Sequence, residues 1–139
     1  MIDAASRGRL AVLVRSSLGE PVAEREDETG FLIVSEAVPE VAVRLTADGV
    51  DVLFYGLRWD GPATLVDCHE LMISLPWAEL PESTEQAWAV VEVRIEESRR
   101  LRATSYRTCR HCGRNTPPEY MHDEQLCMGC APGVLGVVY

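Results

Sequence analysis

Val41-Ala42-Val43-Arg44-Leu45-Thr46-Ala47-Asp48-Gly49-Val50-Asp51-Val52-Leu53-Phe54 is the stretch on which the fold class turns. Val41, Val43 and Leu45 alternate with polar or small residues, and Val50, Val52 and Phe54 do so again after Asp48-Gly49. Successive side chains of a strand point to opposite faces, so a period of two predicts two strands, each with one buried face. Asp-Gly suits a type I′ turn, because both central residues then need φ > 0 and the turn's twist matches that of the strands. The expectation is a β-hairpin over 41–55 closed by that turn.

Working outward, Phe31-Leu32-Ile33-Val34 reads as a further short strand, and the charged stretch Pro21–Gly30 before it as a loop. Ala4–Leu18 lacks proline and carries Leu10, Leu13, Val14 and Leu18 at helical spacing, so a helix is expected there, closed by Gly19 and Pro21. Downstream, Trp59-Asp60-Gly61-Pro62 resembles a turn, and Thr64–Leu75 is read as strand in preference to a short helix. Pro76 and Pro81 break the chain, and Ser83-Thr84-Glu85-Gln86 then forms a capping box. Ala87, Val91, Ser98 and Leu101, with Trp88 and Ile95, make one face at helical period, which predicts a helix over 84–104. The strict alternation Val91-Glu92-Val93-Arg94-Ile95-Glu96 would serve a strand equally well; the capping box decides for helix. The fold class expected is α+β: a small antiparallel sheet with flanking helices, plus a C-terminal cysteine module.

Cys109-Arg110-His111-Cys112-Gly113 and Cys127-Met128-Gly129-Cys130 are two Cys-x-x-Cys pairs with 14 residues between them. A tight knuckle aims two thiolates at one ion, and the adjacent glycines free the backbone to bring amides near the sulfurs. Four thiolates satisfy Zn²⁺ tetrahedrally at about 2.3 Å and leave no open position for a substrate. The pattern resembles a treble-clef or zinc-ribbon module, a resemblance confined to residues 109–131. It implies structural zinc on Cys109, Cys112, Cys127 and Cys130, with iron as the other metal that four thiolates accept. His111 and His122 are read as surface or supporting residues rather than ligands.

Charge divides the chain. Residues 1–98 hold 7 arginines against 19 acids, a net −12, and residues 99–139 hold 6 arginines against 3 acids, a net +3. The composition shift and the cysteines begin together, so two domains are expected: an acidic α+β domain over 1–104, ending in a connecting helix, and a zinc module over 105–139 with an apolar tail. The tail, Val134–Tyr139, is expected to form a strand or to pack. Arg99, Arg100, Arg102, Arg107, Arg110 and Arg114 fall within 16 residues. They are candidate contacts to nucleic acid or a partner, because arginine bridges phosphates and guanine edges bidentately. The competing reading pairs Arg99, Arg100 and Arg102 with Glu96, Glu97 and acids of the main domain.

Lysine is absent: all 13 basic residues are arginines. Phosphate-binding loops, kinase sites, Schiff-base aldolases and pyridoxal-phosphate enzymes all need a lysine and are excluded. Only His69, His111 and His122 are available as histidine bases, and two lie in the cysteine-rich tail. His69-Glu70 begins like a zinc-protease helix motif, but Ile73 stands where the second histidine must be. Cys68 and His69, as sequence neighbours, would point to opposite faces of a strand, and the expectation is a buried free thiol beside a surface histidine. Trp77 is expected in the core, with exposure as a partner anchor the alternative.

The longest apolar runs, such as Leu10–Val14, reach about a quarter of the roughly 20 residues that a bilayer crossing needs. The N-terminus lacks the apolar region of a secretory signal, so a cytoplasmic protein is expected. The expected function is non-enzymatic: a zinc-binding adaptor or regulatory protein that recognises a protein partner. The alternatives are a nucleic-acid-associated regulator using the arginine segment and the knuckles, and an acidic inhibitor or immunity-type protein that covers a basic site.

Overall fold

The computed structural model describes residues 2–19, 22–35, 40–59 and 65–138, without the side chains of 55–59 and 65–69. The turn expected at Trp59-Asp60-Gly61-Pro62 falls largely outside the described residues, and so do the side chains of Cys68 and His69. The chain divides into two compact units, Met1–Tyr55 with His69–Arg102, and Gly56–Cys68 with Ala103–Tyr139.

In the first unit, helix α1 spans Ala4–Leu18. The Asp3 carboxylate accepts the Ser6 amide at 2.7 Å as its N-cap, and Gly19 ends the helix at φ 78. Leu10, Val14 and Leu18 are buried in one stripe, as their spacing requires. Five antiparallel strands follow in sheet order β1-β2-β3-β4-β5: β1 Val22–Asp27, β2 Gly30–Ser35, β3 Val41–Leu45, β4 Gly49–Trp59 and β5 Leu65–Pro76. Helix α2 runs over Thr84–Thr104. The Gln86 amide donates to Ser83 Oγ at 3.4 Å, while that hydroxyl donates to Glu85 Oε2.

The register pairs Ile33 with Val43 and Val43 with Val52, so β2, β3 and β4 present these residues on one face. There they join Leu10, Val14, Val91, Ile95 and Trp77 in the principal core. The opposite face carries Leu32, Val34, Ala42 and Leu53, also buried. Trp77 is 2% exposed, donates its indole N–H to Thr46 O at 2.9 Å and lies 4.6 Å from the Arg7 guanidinium. It is a core residue, as expected.

Three expectations need correction. The stretch 22–27 is the edge strand β1 and not loop; it pairs through its backbone with β2 from Val22↔Ser35 to Asp27↔Gly30. Its charged side chains are those of an edge strand that must resist further pairing, and Glu24 forms an ion pair with Arg15 of α1. The second correction concerns the turn of the β3–β4 hairpin. Leu45 pairs with Val50, and neither Asp48 nor Gly49 has positive φ, so the turn is not type I′. Thr46 Oγ1 instead accepts the Asp48 and Gly49 amides at 3.1 and 3.0 Å. Gly49 is needed for a different reason: a Cβ there would lie 2.2 Å from Leu75 O.

The third correction is on α2, where Leu101 is 51% exposed and the buried residue of that turn is Arg102. Its guanidinium Nε lies 3.7 Å from Glu40 Oε2. The apolar tail takes the packed alternative: its first residues complete helix α3, Ala131–Leu135, Val137 packs on a buried cluster, and Val138 is 93% exposed. Among the described residues no helix is long and apolar enough to cross a membrane.

Candidate metal centre

Two short strands, β6 Arg107–Thr108 and β7 Asn115–Thr116, pair antiparallel and bracket the first knuckle. The Cys109 amide donates to Arg114 O at 3.0 Å and the Gly113 amide to Cys109 O at 2.9 Å. Gly113 sits at φ 74, which lets the chain reverse immediately after Cys112. The second knuckle opens α3: the Cys130 and Ala131 amides donate to Cys127 O at 3.1 and 3.0 Å.

Between the knuckles the Asp123 carboxylate accepts the Gln125 and Leu126 amides, each at 2.8 Å, turning the chain back toward the first pair. These bonds hold the Asp123 carboxyl below its usual pKa range, the Gln125 amide contributing most. The Arg110 amide reaches Gln125 O at 2.7 Å, and Met121 bridges Cys127. Leu126 is fully buried with Cys109, Cys127 and Ala131. Sequence reasoning did not single out Asp123; the signal available was an aspartate two and three residues before the amides it caps.

The result is that the Sγ atoms of Cys109, Cys112, Cys127 and Cys130 all lie within 4.8 Å of one another. A tetrahedron with metal–sulfur bonds of about 2.3 Å has sulfur–sulfur edges of about 3.8 Å. Cys112 Sγ and Cys127 Sγ stand 3.9 Å apart, close to that edge and too far for a disulfide. The donor set and its size therefore fit one thiophilic ion.

The electrostatics agree. The Cys109 thiol is pulled down to about 6, chiefly by the Cys112 amide and next by the Cys127 amide, whose nitrogen is 3.4 Å from Cys109 Sγ. The Cys130 thiol is pushed up to about 12, first by its hydrogen bond with the Cys127 sulfur and then by desolvation. Four adjacent thiols cannot all ionise by themselves; a bound cation supplies the charge that lets them do so. His111 and His122 are exposed and stand outside the cluster.

The six arginines differ in exposure and in partners. Arg99 donates to Leu18 O at 2.8 Å and pairs with Glu96 at 3.4 Å, and Arg102 is buried beside Glu40. Arg107 is exposed and donates to Thr104 O and Tyr106 O, each at 3.1 Å, while Arg110 donates to Gln125 Oε1 at 3.3 Å. Arg100 and Arg114 are exposed. No protein-family model, curated protein or solved structure matches this chain.

Proposed function

We propose that the chain is a non-catalytic zinc protein of the cytoplasm, an adaptor or regulator whose metal holds a protein-recognition surface in shape. The observation that carries the reading is the closed set of four converging thiols, since an ion held by four protein sulfurs has no position left for a substrate. Zinc is the metal proposed, because such closed four-thiolate sites are its usual structural form. Free thiols committed to a metal also suit a reducing compartment better than an oxidising one. The second pair opens a helix, which supports the treble-clef form of the module.

Recognition of a protein partner is supported by the first unit. A groove of about 460 Å³ runs between α1 and α2, lined by Arg9, Val12, Leu13, Thr84, Glu85 and Trp88, with Val12 53% exposed. Tryptophan beside apolar side chains and flanking charges is the composition of an interaction hot spot. The second reading, a nucleic-acid-associated regulator, draws on the exposed Arg100, Arg107, Arg110 and Arg114. It requires binding that weakens steeply with salt. Elemental analysis of the native chain with a thiol titration tests the primary reading. One zinc per chain, retained until a denaturant is added, is the expected result. Iron in place of zinc, or a native chain that holds no metal, overturns it.

A further inference from the structure

The four thiols of the cluster are not equally accessible. Cys109 is 1% exposed and Cys127 9%, Cys130 is half-buried, and Cys112 is exposed. Cys112 is therefore the most exposed of the four ligand residues. Cys127 Sγ lies 3.9 Å from Cys112 Sγ, across the two knuckles, in a cluster whose four sulfurs all lie within 4.8 Å of one another.

We propose that Cys112 is an oxidation site for hydroperoxides, and that its oxidation, resolved by Cys127, expels the metal. The inference rests on the zinc reading above. In the first step the Cys112 thiolate attacks one peroxide oxygen. A sulfur–oxygen bond forms, the oxygen–oxygen bond breaks, and the departing hydroxide takes a proton to become water; the sulfur loses two electrons and the peroxide gains them. In the second step the Cys127 thiolate attacks the Cys112 sulfur. A sulfur–sulfur bond forms, the sulfur–oxygen bond breaks, and a second hydroxide leaves as water on taking a proton. Two thiolates, one peroxide and two protons thus give one disulfide and two waters. The ion loses two of its four donors and passes to solvent, while the bridge keeps the two knuckles tied together. A thiol reductant reverses the second step's product to two thiolates, which can take up zinc again.

Cys112→Ser removes a ligand and can misfold the module, so the test uses the unmutated zinc-loaded chain. Zinc is measured first, then hydrogen peroxide is added at one equivalent beside a chromophoric zinc chelator, and the product is digested with trypsin under non-reducing conditions. Cleavage after Arg107, Arg110 and Arg114 places Cys109 in Thr108–Arg110, Cys112 in His111–Arg114, and Cys127 with Cys130 in Asn115–Tyr139. The expected result is loss of one zinc per chain and a His111–Arg114 peptide joined to Asn115–Tyr139, with fragmentation locating the bond at Cys127. Reductant plus zinc then restores the metal content. Retention of zinc, a first bond between Cys109 and Cys112, a bond through Cys130 or Cys68, or irreversible oxidation without a disulfide overturns the proposal. A chain that carries no zinc before peroxide overturns the metal reading instead, and the release with it.

Discussion

The two units of this chain are held together by different means. The first encloses Leu10, Val14, Ile33, Val43, Val52, Val91 and Ile95, all fully buried between a sheet and two helices, and the hydrophobic effect alone accounts for such a core. Among the described residues of the second unit, the module at 103–138 has one small buried cluster, Cys109, Leu126, Cys127 and Ala131, and two of those four belong to the cysteine cluster. A segment that short, with so little apolar area to bury, needs a further source of cohesion, which an ion held by the four converging sulfurs would provide. One unit can be damaged only by degree, through its packing; the other is organised around a single point.

Removing the metal is the most severe test of that contrast. A strong chelator is expected to abolish slow amide exchange across residues 107–131 while the amides of β2, β3 and β4 stay protected. Structural zinc contributes about 10–16 kcal/mol in isolated finger peptides, far above the stability of such a segment. Loss of protection in the strands as well would show that the contrast is false and that both units fold as one.

The converse perturbation is Ile95→Ala, which opens a cavity at a fully buried position of α2. It is expected to lower stability by about 2–5 kcal/mol by denaturant titration, with the metal content unchanged. A smaller comparison uses one glycine from each unit. Gly49→Ala brings a Cβ to within 2.2 Å of a backbone oxygen, and nothing flexible can yield, so a loss of about 3 kcal/mol is expected. Gly113→Ala meets open space at φ 74 and carries only the left-handed strain, about 1 kcal/mol, read as a modest fall in metal affinity. Equal effects at the two sites would remove the distinction between a packed core and an open knuckle.

The smallest expected effect is a pH response of the first unit. Asp3 accepts the Ser6 amide and Asp27 the Thr29 hydroxyl and amide, and these bonds hold both carboxyls below their usual range. The folded chain then binds fewer protons than the unfolded chain in acid. The stabilisation is complete above about pH 4 and is lost as pH falls through the lowered folded values. Amide exchange at Ser6 and Thr29 is expected to quicken there, and Asp3→Asn is expected to flatten the response at Ser6.

Much of this could be read before folding. The helices at 4–18 and 84–104 follow from stripes at helical period with clear stop and start signals, the strand at 31–34 from a short apolar run, and the hairpin strands at 41–54 from alternation. The cysteines state their chemistry through spacing. Strand β1 was hidden because it pairs through its backbone and keeps charged side chains in water, which is also how a loop looks in sequence. The burial of Arg102 in place of Leu101 was hidden because adjacent residues differ by 100° around a helix, and an arginine stem can cover apolar surface as a leucine does.

The sequence by itself therefore determined both long helices, the hairpin strands and which residues can hold an ion, because period, capping and ligand spacing are local properties. Tertiary structure alone decided the edge strand, the form of the hairpin turn and the inequality of the four sulfurs. Each of these depends on a neighbour distant in the chain: β2 beside β1, Leu75 against Gly49, and the protein that covers Cys109 and Cys127 while leaving Cys112 in water.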